Sequence, residues 1–424
     1  MSHFAVVAPG FYSHFQALQA LGGVLIDRGH RVTFFQQADA CRWLTDPRIG
    51  FVALGTDSHP PGSLDGLLRR AANPRGPLGL RRVIRDLCDN TAMLCAQLPA
   101  ALAGEGVDAM LCDQMEAAGG LVAEALGLPF VSVACALPIN REPQLPLPVM
   151  PFAFGTDERS RRLYEGSCRV YDWLMRPMRD VLHQASRRLA VPPRDGLHDY
   201  LSPLAQISQT TDSFDFPRQR QPAHFHAVGP LRAPQSMGVG QWPIETDRPF
   251  IFASLGTLQG GRQNLFKQIA QACRELEAQV LIAHCGAIGS AGEKVLQRNG
   301  ATWVTDFAPQ QWALQQANAV ITHGGLNTVM DAIVARTPML VMPIAFDQPG
   351  VAARVSYSGA GVQLSRRARA SSIARRLQEV LALPPEPLAR LAADVRQAGG
   401  VTRAADIVEA AIRSGQPVWA GALS

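Results

Sequence analysis

Short apolar runs alternate with segments whose apolar residues recur every three or four positions along most of the 424-residue chain, the pattern of strands alternating with helices. Residues 4–8 form a strand candidate broken at Pro9-Gly10, and residues 14–28 follow with Leu18, Leu21, Leu25 and Ile26 on one helical face, ended by Gly29. Strands are predicted at 31–35 and 51–54, a long loop over the polar 55–77, and a helical stretch over 80–102. Residues 107–113 read as a strand ending in an acid, 116–126 as a helix and 130–134 as the next strand. Such regular alternation predicts an α/β fold with parallel, doubly wound sheets.

The periodicity fails over 137–154, where five prolines mix with Leu, Val, Met and Phe, and an Arg-rich helix carrying Tyr164, Tyr171 and Trp173 is predicted over 158–189. This region reads either as an apolar acceptor pocket or membrane-facing flap, or as an insertion that merely packs on its domain. Strand-like runs at 205–210 and 226–228 close the first half. Residues 229–249, rich in Pro, Gly and polar residues, read as a linker. The pattern then restarts with a strand at 250–253, a helix at 264–276, and strands at 280–283, 302–305, 319–322, 339–343 and 361–364. Two Rossmann-like halves, 1–228 and 250–424, are therefore expected to face each other with the principal site between them.

One βαβ unit concentrates the chemistry. The run 319–322 leads into His323-Gly324-Gly325, then into a helix with Val329, Met330, Ile333 and Val334 on one face, then into 339–343 and Asp347-Gln348. The carboxyl ends of parallel strands share one rim, so residues 323–328 and 347–348 should converge on one crevice. Two glycines allow close backbone approach, and Asn327 and Thr328 open a helix whose free N–H groups suit a phosphate, although an ordinary capped turn would look the same.

Composition narrows the setting. A hydrophobic content of 47% with 18% charged residues is that of a globular chain with a sizeable core. The net charge is +5, all but Lys267 and Lys294 of the basic residues are arginine, and no basic run with interleaved aromatics suggests nucleic acid. Eight cysteines without CxxC pairs read as buried thiols in a reducing compartment. With neither a signal-peptide pattern nor an apolar stretch of spanning length, the expectation is a cytoplasmic protein. There is no Asp-x-Asp and no ligand-spaced Cys/His/carboxylate cluster, so no metal is expected.

Phe307-x-Pro309-Gln310, Leu314, His323-x-Gly325-x-Asn327-Thr328, Asp331, Pro338, Pro343 and Asp347-Gln348 resemble the donor-binding signature of the family 1 UDP-dependent glycosyltransferases, which have the GT-B fold. The turn Ser254-Leu255-Gly256-Thr257, and a histidine followed by a helix ending in Arg28-Gly29-His30, are also family-like. Over its whole length the chain is similar to bacterial members that glucosylate carotenoids.

The resemblance implies that His323, Asn327 and Thr328 hold the donor diphosphate, that Asp331 binds the ribose hydroxyls, and that Phe307 stacks on uracil where plant members carry tryptophan. It further implies donor contacts from Ser254, Gly256, Thr257, Gln310 and Gly325, sugar contacts from Asp347 and Gln348, and glucose as the sugar. His14 would be the general base and Asp113 its acidic partner, in a single inverting displacement without metal or other cofactor. From the residues alone, His14 reads first as a helix cap and only second as a base, and Asp113 reads as readily as a cap for the helix beginning near residue 116. The implied partners are UDP-glucose and the apolar carotenoid zeaxanthin, with reversible membrane association through residues 137–178. Another lipophilic alcohol or phenol as acceptor, a UDP-sugar 2-epimerase and a non-catalytic helper are the alternatives.

Overall fold

The computed structural model describes all residues except 75, 234–237, 239 and 422–424, so part of the expected linker lies outside the described residues. The first sheet contains β1 (His3–Val7), β2 (Arg31–Gln37), β3 (Gly50–Leu54), β4 (Ala109–Asp113), β5 (Phe130–Ala134), β6 (Gln206–Ser208) and β7 (Phe225–Ala227). The second contains β8 (Phe250–Ser254), β9 (Gln279–Ala283), β10 (Trp303–Thr305), β11 (Ala319–Thr322), β12 (Met339–Val341) and β13 (Gly361–Gln363). All pairings are parallel, in the orders β3-β2-β1-β4-β5-β6-β7 and β10-β9-β8-β11-β12-β13. The near-continuous burial of β1, β4, β5, β8 and β9 fits sheets covered on both faces.

Each half has two cores, one on each side of its sheet. In the first half the helix Tyr12–Asp27 buries Phe15, Leu18, Leu21 and Leu25 on one face, and Leu94, Leu98, Leu121 and Leu182 pack on the other. In the second, Phe266, Ile269, Ile373 and Leu377 lie on one face and Leu314, Val329, Ile333 and Val355 on the other.

Three expectations change. Residues 55–77 are not all loop: Ser63–Ala72 is a helix that buries Leu64, Leu67 and Ala71 at helical spacing. The segment expected as one helix over 158–189 is two, Glu158–Leu174 and Arg176–Arg188, parted at Met175. The third concerns the domain boundary. The C-terminal helix Gly400–Ser414, expected in the second half, crosses back to bury Val401, Ala404, Ile407, Val408 and Ala411 in the core of the first. Arg28 pairs with Asp406 at 2.8 Å and Glu409 at 2.7 Å, and His30 meets Glu409 at 3.0 Å, so Arg28-Gly29-His30 fastens this helix.

Candidate active site

In each sheet the strand order reverses direction at one place, between β1 and β4 in the first and between β8 and β11 in the second. Chain connections diverge there and leave a crevice at the carboxyl ends of the strands. His14 follows β1 and Asp113 ends β4, while residues 254–257 follow β8 and residues 323–328 follow β11. A cleft of about 1480 Å³ lies between the two reversal points and is lined from both halves. That volume exceeds the roughly 300–1,000 Å³ usual for a single ligand.

On the first side, His14 lies in the opening turn of the helix Tyr12–Asp27 and makes no capping bond. Its Nδ1 meets Asp113 Oδ2 at 2.7 Å, and Asp113 Oδ1 accepts from the Met115 N–H at 2.8 Å. The helix cap near residue 116 is Glu116 itself, whose carboxylate also accepts from Asn90 and Thr91 and is pushed up to about 7 by burial. Asp113 is thereby free for the histidine. Burial pulls the His14 imidazolium pKa down, but the charge and hydrogen bond of Asp113, aided by the charge of Asp347, leave it above the ordinary histidine value. The Cys135 thiol also hydrogen-bonds Asp113; burial, and then the Asp113 charge, push its pKa well up, so it stays protonated and donates. With Nδ1 committed to Asp113, Nε2 of His14 is the nitrogen that can take a proton from a ligand in the cleft.

Across the cleft, the ring of His323 occupies a slot between two glycines. A Cβ on Gly256 would stand 2.7 Å from the ring and one on Gly325 2.6 Å, which is why both positions lack side chains. Gly256 also has φ +73°, a region that side-chain-bearing residues avoid. Burial lowers the His323 pKa to about 4, so at neutral pH it offers a neutral hydrogen bond and no charge. The helix Leu326–Ala335 starts at Gly325 without a side-chain cap, leaving its first N–H groups and the positive end of its dipole toward the cleft.

Thr328 Oγ1 donates to Gln310 Oε1 at 3.3 Å, and Gln310 Nε2 donates to Asp331 Oδ2 at 2.7 Å. The other Asp331 oxygen accepts from Arg232 Nε at 3.0 Å. Arg232 also donates to the Asn327 carbonyl and to Gln209 Oε1, both at 3.0 Å. Asn327 is held across the cleft at both ends of its amide, accepting from Gln209 at 3.1 Å and donating to the Ser13 carbonyl at 3.2 Å. Phe307 is 67% exposed and presents its ring to the cleft. The loop carrying it is fixed by His284, whose Nε2 lies 3.4 Å from Asp306 and 3.1 Å from Glu293.

Ser254, Gly256 and Thr257 line the same cleft. Asp347 accepts from the Leu137 N–H of the first half at 3.2 Å; burial raises its pKa, with that N–H and His14 holding it back in part. Gln348 turns its carbonyl oxygen to the N–H groups of Ile344 and Ala345, at 2.9 and 2.8 Å, which leaves its amide nitrogen for the cleft. All fourteen residues singled out from the sequence thus line the cleft except Asp113, which reaches it through His14. Arg232, Gln209, Cys135 and His284 were missed, because none belongs to a motif and each matters only through what the fold brings beside it. Among the described residues, two groups have metal-ligand proximity that no spacing revealed, His14 with Asp113 and Cys135, and His284 with Glu293 and Asp306. In the second, His284 Nδ1 accepts from the Ile288 N–H, so its Nε2 carries the proton and is a poor metal ligand.

The profile of the UDP-glucoronosyl and UDP-glucosyl transferase family matches residues 172–384. The chain is 50% identical to the zeaxanthin glucosyltransferase of Pantoea ananas, over 99% of this chain and 98% of the relative. It is 46% identical to that of Pseudescherichia vulneris, over 99% and 100%. The chain belongs to the UDP-glucoronosyl and UDP-glucosyl transferase family. As a member of that family it is a glycosyltransferase enzyme. Its fold is the GT-B arrangement of two facing Rossmann-like units, shared with the glycotransferase of kitacinnamycin (TM-score 0.76, 19% identity, 97% of this chain and 99% of that one). The calicheamicin glycosyltransferase CalG4 shares it as well (TM-score 0.73, 21% identity, 98% and 100%). Among the described residues no helix is long and apolar enough to cross a membrane.

Proposed function

We propose that this transferase moves glucose from UDP-glucose to the ring hydroxyls of zeaxanthin, first at one end and then at the other. The observation that carries the reading is the pair of reversal points, with the His14–Asp113 dyad opposite the uncapped helix Leu326–Ala335 across one cleft. Two relatives named zeaxanthin glucosyltransferase, matched over nearly their full lengths, support the acceptor.

In this mechanism the acceptor hydroxyl gives its proton to His14 Nε2 as its oxygen attacks the anomeric carbon from the face opposite the diphosphate, and the configuration inverts. Asp113 holds the ring through Nδ1 and stabilises the imidazolium that forms. The departing UDP gains negative charge at the amino end of the helix Leu326–Ala335, where free N–H groups, Thr328 and neutral His323 meet it. Phe307 takes the uracil face, Gln310 and Asp331 the ribose, and Asp347 with the Gln348 amide nitrogen the glucose hydroxyls. Apolar side chains including Leu68, Leu87, Ile139, Leu147 and Val149 supply the acceptor wall. No metal takes part.

The test is turnover of UDP-glucose by the purified protein with zeaxanthin, β-cryptoxanthin and a flavonol. Zeaxanthin should give mono- and diglucosides and β-cryptoxanthin a monoglucoside only. Turnover of the flavonol alone would overturn the assignment.

A further inference from the structure

The region 137–178, expected to meet a membrane, divides in two. Leu137, Leu145 and Leu147 are buried, and the Pro-rich segment turns its apolar residues inward. The exposed apolar residues sit on the helix Glu158–Leu174, where Leu163 is 47%, Val170 56% and Trp173 50% exposed. At 3.6 residues per turn these three fall within roughly 80° of arc, a stripe opposite buried Tyr164. Exposed Arg159 and Arg169 border the stripe and Arg176 follows it; among the described residues none has a carboxylate partner. From 158 to 188 there are eight arginines against four carboxylates, a formal +4 out of the chain's +5. Net positive charge is thus concentrated on two helices around an apolar stripe with a tryptophan.

We propose that the outer face of Glu158–Leu174 docks on an anionic lipid bilayer. Apolar side chains with a tryptophan seat at the boundary between headgroups and acyl chains, and unpaired guanidinium groups bind lipid phosphates. A protein partner would have to bring carboxylates matched to each arginine, whereas a bilayer surface meets this spread of charge without register. The helix also stands between two phases. Its inner side, the break at Met175 and the helix that follows line the cleft through Tyr171, Met175 and Met178, so docking opens the acceptor end of the cleft toward lipid. This last step rests on the apolar acceptor proposed above, and the docking itself does not.

The experiment is flotation of the full chain with vesicles of phosphatidylglycerol and phosphatidylethanolamine, or of phosphatidylcholine alone, with and without added salt. The unaltered protein should float with the anionic vesicles only, and salt should weaken the binding. The triple variant Arg169→Ser, Val170→Ser, Trp173→Ser alters exposed side chains and should lose about tenfold or more in vesicle affinity. It should keep its thermal midpoint and its turnover of acceptor dispersed in detergent. Equal flotation of variant and parent would overturn the proposal, as would equal binding to phosphatidylcholine. So would a solution dimer that the variant dissolves without any vesicle binding, which would make the face a contact between copies. Vesicle binding that persists while zeaxanthin is not glucosylated would sink the acceptor assignment and leave the docking surface standing.

Discussion

The side-chain amide of Asn327 donates to the backbone carbonyl of Ser13, one residue before His14, at 3.2 Å. The first turn of the helix proposed to receive the diphosphate is thus tied to the opening turn of the helix that carries the proposed base. With Gln209 holding the other end of the amide at 3.1 Å, Asn327 registers the two halves of the reaction against each other. Asn327→Asp keeps the size but replaces the donor by a second acceptor. A misplacement of this kind costs about a hundredfold. Steady-state kinetics should show the loss mainly in kcat, and a rise in KM for UDP-glucose alone would refute the registering role.

Activity should rise with pH along an acid limb set by His14. Its pKa lies above the ordinary 6.5, so the protonated, inactive form persists at and just above that pH and the base form accumulates only beyond it. In Asp113→Asn the larger raising influence is lost, and only that of Asp347 remains against burial, which lowers the pKa. The limb of the kcat/KM profile should therefore move to lower pH as the plateau falls by about 10²–10⁴-fold. An unmoved limb would mean that a different group titrates.

Gly325 has φ −63°, which any residue adopts, so Gly325→Ala tests the space around His323 without backbone strain. The added methyl would stand 2.6 Å from His323 Nε2 and must push the ring out of its slot. About tenfold weaker UDP binding is expected, consistent with one displaced hydrogen bond. Calorimetric titration with UDP measures it.

Arg232 and Gln310 fill both oxygens of Asp331 before any nucleotide arrives. Arg232→Ala leaves a nearly buried carboxylate with one partner, at a cost of about 1–3 kcal/mol. KM for UDP-glucose should rise by roughly tenfold with kcat little changed, as expected when ground-state binding is lost. Arg232→Lys, lacking the planar fork, should restore only part of it.

Chelation by EDTA followed by gel filtration should leave turnover unchanged, because the proposed scheme meets the departing diphosphate with N–H groups and a neutral histidine. Loss of activity restored by a divalent ion would contradict that scheme.

Much of this was readable in the chain. The central strands of both sheets announced themselves as buried apolar runs, and parallel topology then dictated which loops share a rim. The helix Ser63–Ala72 was hidden by its Pro- and Gly-rich flanks, although Leu64, Leu67 and Ala71 carried the helical period. The destination of Gly400–Ser414 could not be read, because an apolar stripe says that a helix is covered and not by which sheet. Asp113 was ambiguous until Glu116 proved to be the cap. Arg232 was illegible for a different reason: its partners Gln209, Asn327 and Asp331 come from both halves, and no local pattern records a meeting of that kind.

The return of the C-terminal helix to the first sheet bears on how such an enzyme can be recombined. Because the helix Gly400–Ser414 completes the core of the first unit, the second is not a cassette that a cut near residue 240 would free. A chimera exchanging everything downstream would import a foreign helix to cover Leu18 and Leu21 and would lose the clasp of Arg28 and His30 on Glu409. Exchange of the second unit alone needs two junctions, the second before Gly399, so that each first unit keeps its own covering helix.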